Sequence, residues 1–220
     1  GLYWQYESWL KNFDASFYST VGAAGELFAI RSALYLHTPR EVLLDDFIIS
    51  MKICLKGWKI AYTKKAVASE YPSENLKEEK KRKKRIATGA FQSVFLLKEL
   101  LYFWKYPRLT YLYISHRMLR WIICPFLLPA IFIGNLVALN QQPDLVIYVL
   151  FYAQCGFYLL ALTGAWLNAQ NLKHPIFSIP LYFIFMNLNM YIGLFQYLKT
   201  TPTGTWEKAA RLKKGISSNY

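Results

Sequence analysis

Three long stretches almost free of charge constrain this chain more than any other feature. They cover residues 121–139, 145–167 and 176–198. Each is long enough to cross a bilayer, which takes about 20 apolar residues in a helix. Residues 118–198 hold only Arg120 and Lys173 as basic side chains and Asp144 as an acid. All but one unit of the net charge of +13 is therefore carried by the remainder of the chain. A content of 55% apolar and 18% aromatic residues excludes a disordered, collagen-like or disulfide-built chain. The expected division is a polar unit over 1–90, an amphipathic interfacial helix and linker over 91–117, transmembrane helices over 118–199 (two or three spans), and a basic tail over 200–220.

Charge asymmetry sets the expected orientation. Arg117 and Arg120 precede the first span and Lys173 separates the second from the third. The turn over 140–144 has no Lys or Arg, so it reads as an outside loop and both flanks as cytoplasmic. The tail carries Lys199, Lys208, Arg211, Lys213 and Lys214, which three full crossings would place outside, against the same bias. Pro180, Asn187, Asn189 and Gly193 suit a third segment that is re-entrant or lies at the interface, which keeps the tail cytoplasmic. Pro125 and Pro129 predict a kink in the first span. Over 91–105, Leu96, Leu97, Leu100, Phe103 and Trp104 share one helical face, opposite Lys98, Glu99 and Lys105. Such a helix is expected to lie among the headgroups, the alternative being an amphipathic core helix.

The polar unit reads as α/β. Residues 6–13 form a short amphipathic helix, and Gly22 and Gly25 punctuate a turn. Residues 27–35 fit a strand or a helix start; 47–55 form a helix closed by Gly57; 58–63 alternate like a strand; 77–97 return to helix. So few elements do not close a sheet. The start, Gly1-Leu2-Tyr3-Trp4, has no signal-peptide character, and the chain reads as the later part of a longer polypeptide. Cys54, Cys124 and Cys155 give no disulfide frame, and His37, His116 and His174 lack metal-ligand spacing.

Four features could carry chemistry. Asp45 and Asp46 stand at the mouth of the 47–55 helix, where acids cap amides and suit the positive end of the dipole. A carboxylate there could equally take a proton from a sugar hydroxyl. The run Lys80-Lys81-Arg82-Lys83-Lys84-Arg85 follows Glu78 and Glu79 at spacings that allow ion pairs on a solvated face. It also suits anionic headgroups or a diphosphate, onto which Arg forks. Adjacent spans argue against nucleic acid. Arg82, Arg85, Ile86 and Gly89 share one face. The turn Gly22-Ala23-Ala24-Gly25 suits a wall beside a substrate or a simple tight turn. Thr203-Gly204-Thr205-Trp206, with Arg211 behind, offers an interfacial anchor or a segment at the site.

In order, Tyr6-Glu7, the Gly22–Gly25 turn through Ala29-Ile30-Arg31, Asp45-Asp46-Phe47, Gly57-Trp58-Lys59-Ile60-Ala61-Tyr62, Ala68-Ser69-Glu70, Arg82 to Ile86 with Gly89 and Gln92, the spans, and Trp206 with Arg211 resemble the C-terminal half of membrane-embedded family 2 glycosyltransferases. Cellulose, poly-N-acetylglucosamine, hyaluronan and chitin synthases are relatives of this kind. The resemblance implies a partial GT-A-type domain (α/β) joined to an α-helical transmembrane region, at the cell membrane, with its catalytic side cytoplasmic. It implies a nucleotide-sugar donor, commonly a UDP-sugar, a glycan or lipid acceptor, and contact with membrane lipid. Asp46 then falls on the catalytic base, with Asp45 in place of the preceding Glu. Arg85 inherits the donor-diphosphate role of the family's Gln-x-x-Arg-Trp motif. Arg82 stands where that motif has Gln, and Ile86 where Trp stacks on the acceptor. Gly25 matches the glycine beside the acceptor terminus, and Trp206 a gating segment near the nucleotide. A divalent metal, Mg or Mn, is implied for the intact enzyme. The Asp-x-Asp motif that holds it has no counterpart upstream of Gly22, so its ligands are expected outside this chain, and the chain alone is expected not to turn over. The alternative is a non-enzymatic polytopic protein whose basic segment docks anionic lipid or a partner. A transporter is disfavoured by the near absence of intramembrane charge.

Overall fold

A computed structural model describes residues 2–69, 76–141, 144–170, 172 and 174–199. Among them the regular elements are helical: α1 (Leu2–Phe17), α2 (Asp45–Leu55), α3 (Leu76–Leu96), α4 (Pro107–Tyr113), α5 (Cys124–Ala138), α6 (Leu145–Ala169) and α7 (Pro175–Lys199). A π-helical segment, Ile114–Ile123, joins α4 to α5, so one continuous helix runs from Pro107 to Ala138.

No strand forms among the described residues, which departs from the α/β expectation. The physical reason is visible at 58–63. This segment is extended, but a strand is defined by its ladder, and among the described residues the Ile60 carbonyl accepts a single backbone bond, from Thr20 N–H at 3.1 Å. The Ile60 N–H donates to Ser19 Oγ at 2.9 Å instead. Residues 27–35 are likewise not a strand; they hold a single 3-10 turn, Ser32–Leu34.

The helical predictions over 47–55 and 77–97 match α2 and α3 closely. Gly57 ends α2 with φ +91°, the left-handed value that favours glycine. The interfacial helix expected over 91–105 is not there. Helix α3 runs through to Leu96, and a 3-10 turn, Lys98–Leu101, follows. Leu97 and Leu100, assigned to a lipid face, are fully buried with Val21, Phe47, Met51, Leu112 and Tyr113. Each such leucine contributes roughly 1.5–3 kcal/mol by leaving water, and the core therefore claims them before lipid can. Trp104 alone of that face is almost fully exposed.

The three helices Pro107–Ala138, Leu145–Ala169 and Pro175–Lys199 are long and apolar enough to cross a membrane. The Asp144 carboxylate caps α6 by accepting from Ile147 N–H at 3.1 Å. Pro129 lacks the N–H that would bond the Pro125 carbonyl, and the Tyr191 hydroxyl of α7 donates to that carbonyl at 2.6 Å. Asn135 donates to Gln154, which donates in turn to Tyr158 at 2.8 Å, so α5 and α6 share a polar contact in their apolar interior.

The third helix has a different set of neighbours from a free-standing span. Its first half packs on α6, where Gly164 lets the Phe177 carbonyl and Leu181 close in and Phe157 meets Phe183. It also packs along the basic helix α3. The Lys83 ammonium lies over the Tyr182 ring at 5.9 Å, Gly193 abuts Ala87 and Thr88, and Phe95 stacks on Tyr197. The two helices therefore run in the same direction side by side.

Candidate functional site

Helix α2 presents Asp45 and Asp46 in its first turn, but neither is the cap. Leu44 occupies the N-cap position without a side-chain bond, so neither acid is the N-cap itself; both stand in the first turn, at the positive end of the dipole. Asp45 is exposed, whereas Asp46 is partly buried. The Asp46 carboxylate faces Gly25: a Cβ placed there would lie 2.7 Å from Asp46 Oδ2 and 3.3 Å from its Cγ. Any side chain at position 25 would push the carboxylate aside. The glycine turn thus forms a bare wall against the acid.

Several bonds hold this wall to the helix. Ala23 N–H donates to Ser50 Oγ at 3.0 Å, and Ser50 donates to the Phe47 carbonyl. Gly22, at φ +86°, packs its Cα on the Phe47 ring, with no room for a Cβ. Arg117, from the π-helical segment, donates to the Val21 carbonyl at 2.9 Å. Its guanidinium lies 5.6 Å from the Phe47 ring centroid and 5.5 Å from that of Trp121. Gln92 of α3 accepts from Leu43 N–H and donates to the Glu41 carbonyl, clamping the turn that leads into α2. Gly89 admits Leu44 beside it.

Burial pushes the Asp46 carboxyl above its ordinary range. The Phe47 N–H opposes this by hydrogen bonding, the neighbouring Asp45 and Glu26 charges add to it, and Arg117 opposes it. An acid raised in this way is a better proton acceptor than a free aspartate once ionised.

The basic motif is brought only partly to this point. Arg82 reaches Glu26, next to the Gly25 wall, with Nη2 3.9 Å from Oε1. Lys83 pairs with Glu79 at the four-residue spacing expected for a solvated face, and Lys81 pairs with Glu78 at three residues. Arg85 and Ile86 lie on the same helical face as Arg82 and Gly89, Arg85 being exposed and Ile86 partly buried. No ion pair joins Arg85 to Asp46 among the described residues. A cavity of about 1100 Å³ opens beside the glycine turn, lined by Glu7, Lys11, Gly22, Glu26, Arg31 and Trp58 among others; neither Asp46 nor Arg85 lines it. Trp206 lies outside the described residues. Among those residues no three His, Cys, Asp or Glu side chains converge to hold a metal ion.

Arg117 and Ser50 were invisible as site residues in the sequence. Arg117 reads there only as a charge before a span, and nothing in its spacing points to Val21, 96 residues away. Comparison with curated proteins and with solved structures finds no significant match. The sequence profile of glycosyl transferase family group 2, however, matches residues 3–195, from the start of α1 through most of α7 and across the whole Asp46 site, and the chain belongs to that family.

Proposed function

We propose that this chain forms the acceptor side and membrane region of a membrane-bound inverting glycosyltransferase. It would move a sugar from a nucleotide-sugar donor to a hydroxyl of a glycan or lipid. The observation that carries the reading is the Asp46 carboxylate, partly buried against the side-chain-free wall of Gly25. An acceptor hydroxyl placed against that wall gives its proton to Asp46 as its oxygen bonds the anomeric carbon. The bond from that carbon to the donor diphosphate breaks on the opposite face, and configuration inverts. Arg85, aided by Arg82, meets the charge that collects on the departing nucleoside diphosphate. A divalent metal bound by residues elsewhere in the intact enzyme would supply further charge neutralisation.

Arg85→Ala in the full-length protein should weaken UDP binding by roughly tenfold or more, since a hydrogen bond to a charged group contributes about 1.5–3 kcal/mol. Isothermal calorimetry checks this. Unchanged binding, with salt-sensitive attachment to anionic vesicles lost instead, assigns the basic run to lipid docking and favours the non-enzymatic alternative.

The reading also carries an orientation. Helix α7 starts after α6 returns to the side of α3, and 16 residues later Tyr191 is beside Pro125, the entry of α5. A perpendicular crossing would have risen about 24 Å over that distance. We therefore place α5 and α6 as the crossings, α7 along the inner face beside α3, and the catalytic side in the cytoplasm. In sealed inside-out vesicles, a protease should remove a tag placed after Tyr220. Protection of that tag would mean three crossings.

A further inference from the structure

Helix α1 displays a row of aromatic side chains that the site does not use. Tyr6, Trp9, Phe13 and Phe17 follow one another at three- and four-residue spacing, each about half exposed (49–58%). Tyr6 stacks on Trp9 and Trp9 on Phe13, so the first three rings form a continuous edge that Phe17 extends by one turn. A solvent-facing helix edge of four adjacent aromatic rings is not a surface that water favours.

Contacts with the helix that leads into the first apolar stretch fix where this row stands. Glu7, buried, accepts from Arg120 Nη1 at 3.3 Å. Asp14, buried, lies 2.9 Å from His116 Nδ1. Phe17 meets the Tyr111 ring, centroids 6.2 Å apart. Residues 7, 14 and 17 of α1 thus meet residues 120, 116 and 111, and α1 runs antiparallel to the helix that leads into the first apolar stretch. Arg120 is the last charge before that stretch. The Glu7–Arg120 pair therefore stands at the boundary between water and hydrocarbon. The headgroup layer beyond that boundary is about 5–7 Å thick, close to one helical turn. Tyr6 and Trp9 flank Glu7 within that turn, while Phe13 and Phe17 climb away from it.

We propose that the aromatic edge of α1 is a membrane-seating surface whose lower end, Tyr6 and Trp9, rests among the lipid headgroups of the leaflet that the first span enters. Tyrosine and tryptophan are the side chains that favour this layer, since their rings are apolar and their polar tips stay wet. The Glu7–Arg120 ion pair and the Asp14–His116 hydrogen bond then couple the seating of α1 to the entry of the first span. The proposal does not depend on sugar chemistry and stands or falls apart from it.

Nitroxide labels at positions 6, 9, 13 and 17, one per variant, test it. The full-length protein is used in phosphatidylethanolamine–phosphatidylglycerol nanodiscs, with Cys54, Cys124 and Cys155 replaced by alanine. Power-saturation spectra compare access by oxygen, which concentrates in lipid, with access by a water-soluble nickel chelate. The expected result is a ratio of oxygen to nickel access several-fold higher at positions 6 and 9 than at a label on Val67, an exposed residue of the polar unit, falling toward the Val67 value from 13 to 17. Low access by both agents at all four positions would mean that protein covers the edge. High nickel access at all four would mean that water does. Either overturns the proposal.

Discussion

Asp46→Asn should lower sugar transfer by roughly 10²–10⁴-fold, the usual contribution of a positioned general base, while membrane insertion stays normal. The assay is turnover of a radiolabelled nucleotide sugar by the full-length protein in membranes. Wild-type turnover should fall as pH drops through the raised Asp46 pKa, because only the carboxylate accepts a proton. The same substitution should make the protein more stable at neutral pH. Burial raises the Asp46 pKa in the folded chain above its unfolded value. The folded state therefore holds the proton more tightly, and each step upward in pH between the two values favours unfolding. Above the raised pKa the destabilisation is complete; below the ordinary aspartate value it is absent. Asparagine keeps an oxygen for the Phe47 N–H but has no charge to desolvate. The variant should thus show a higher Tm than wild type at pH 7 and an equal one near pH 3. Near-wild-type turnover by the variant would remove Asp46 from the mechanism.

Gly22→Ala should be among the most damaging single changes in the polar unit. The left-handed backbone at φ +86° costs a side chain about 1–2 kcal/mol. The added methyl also enters the Phe47 ring, and overpacking of this kind costs a further 1–3 kcal/mol or so. Together these lower Tm by roughly 5–15 °C for a domain of this size. Gly57→Ala is the internal control. It has the same backbone sign, φ +91°, but open space around its Cβ, so it should lose only the backbone part. Equal losses at the two positions would show that the Gly22–Phe47 contact contributes nothing. Because Phe47 follows Asp46 and lies under Arg117, Gly22→Ala should also reduce transfer beyond what its stability loss explains.

Helix extents were legible where the signal is local. Helix α2 and its glycine stop, helix α3, and the three apolar helices all follow from length, apolarity and a 3.6-residue period, which act within a few turns. Residues 91–105 misled for the same reason. Their amphipathic face was real, but periodicity does not say whether an apolar face meets lipid or core, and Leu97 and Leu100 met the core. The strand expected at 58–63 failed because a strand needs a partner, and a partner is not a local property.

The site divides along the same line. Asp46, Gly25 and the Arg82–Gly89 face could be picked out by order and spacing. That Asp46 rather than Asp45 turns toward Gly25, that Arg82 reaches Glu26, and that Arg117 spans from the membrane entry to Val21 could not. The sequence alone determined that three stretches are long and apolar enough to cross a bilayer and that an acid, a bare turn and a basic helix occur in a fixed order. Those are properties of neighbouring residues. Only the tertiary structure decided which of them touch, because contacts across tens of residues depend on how helices pack. The same packing set the third apolar helix beside both α6 and α3, where length and composition say only that it is long and apolar enough to cross a membrane.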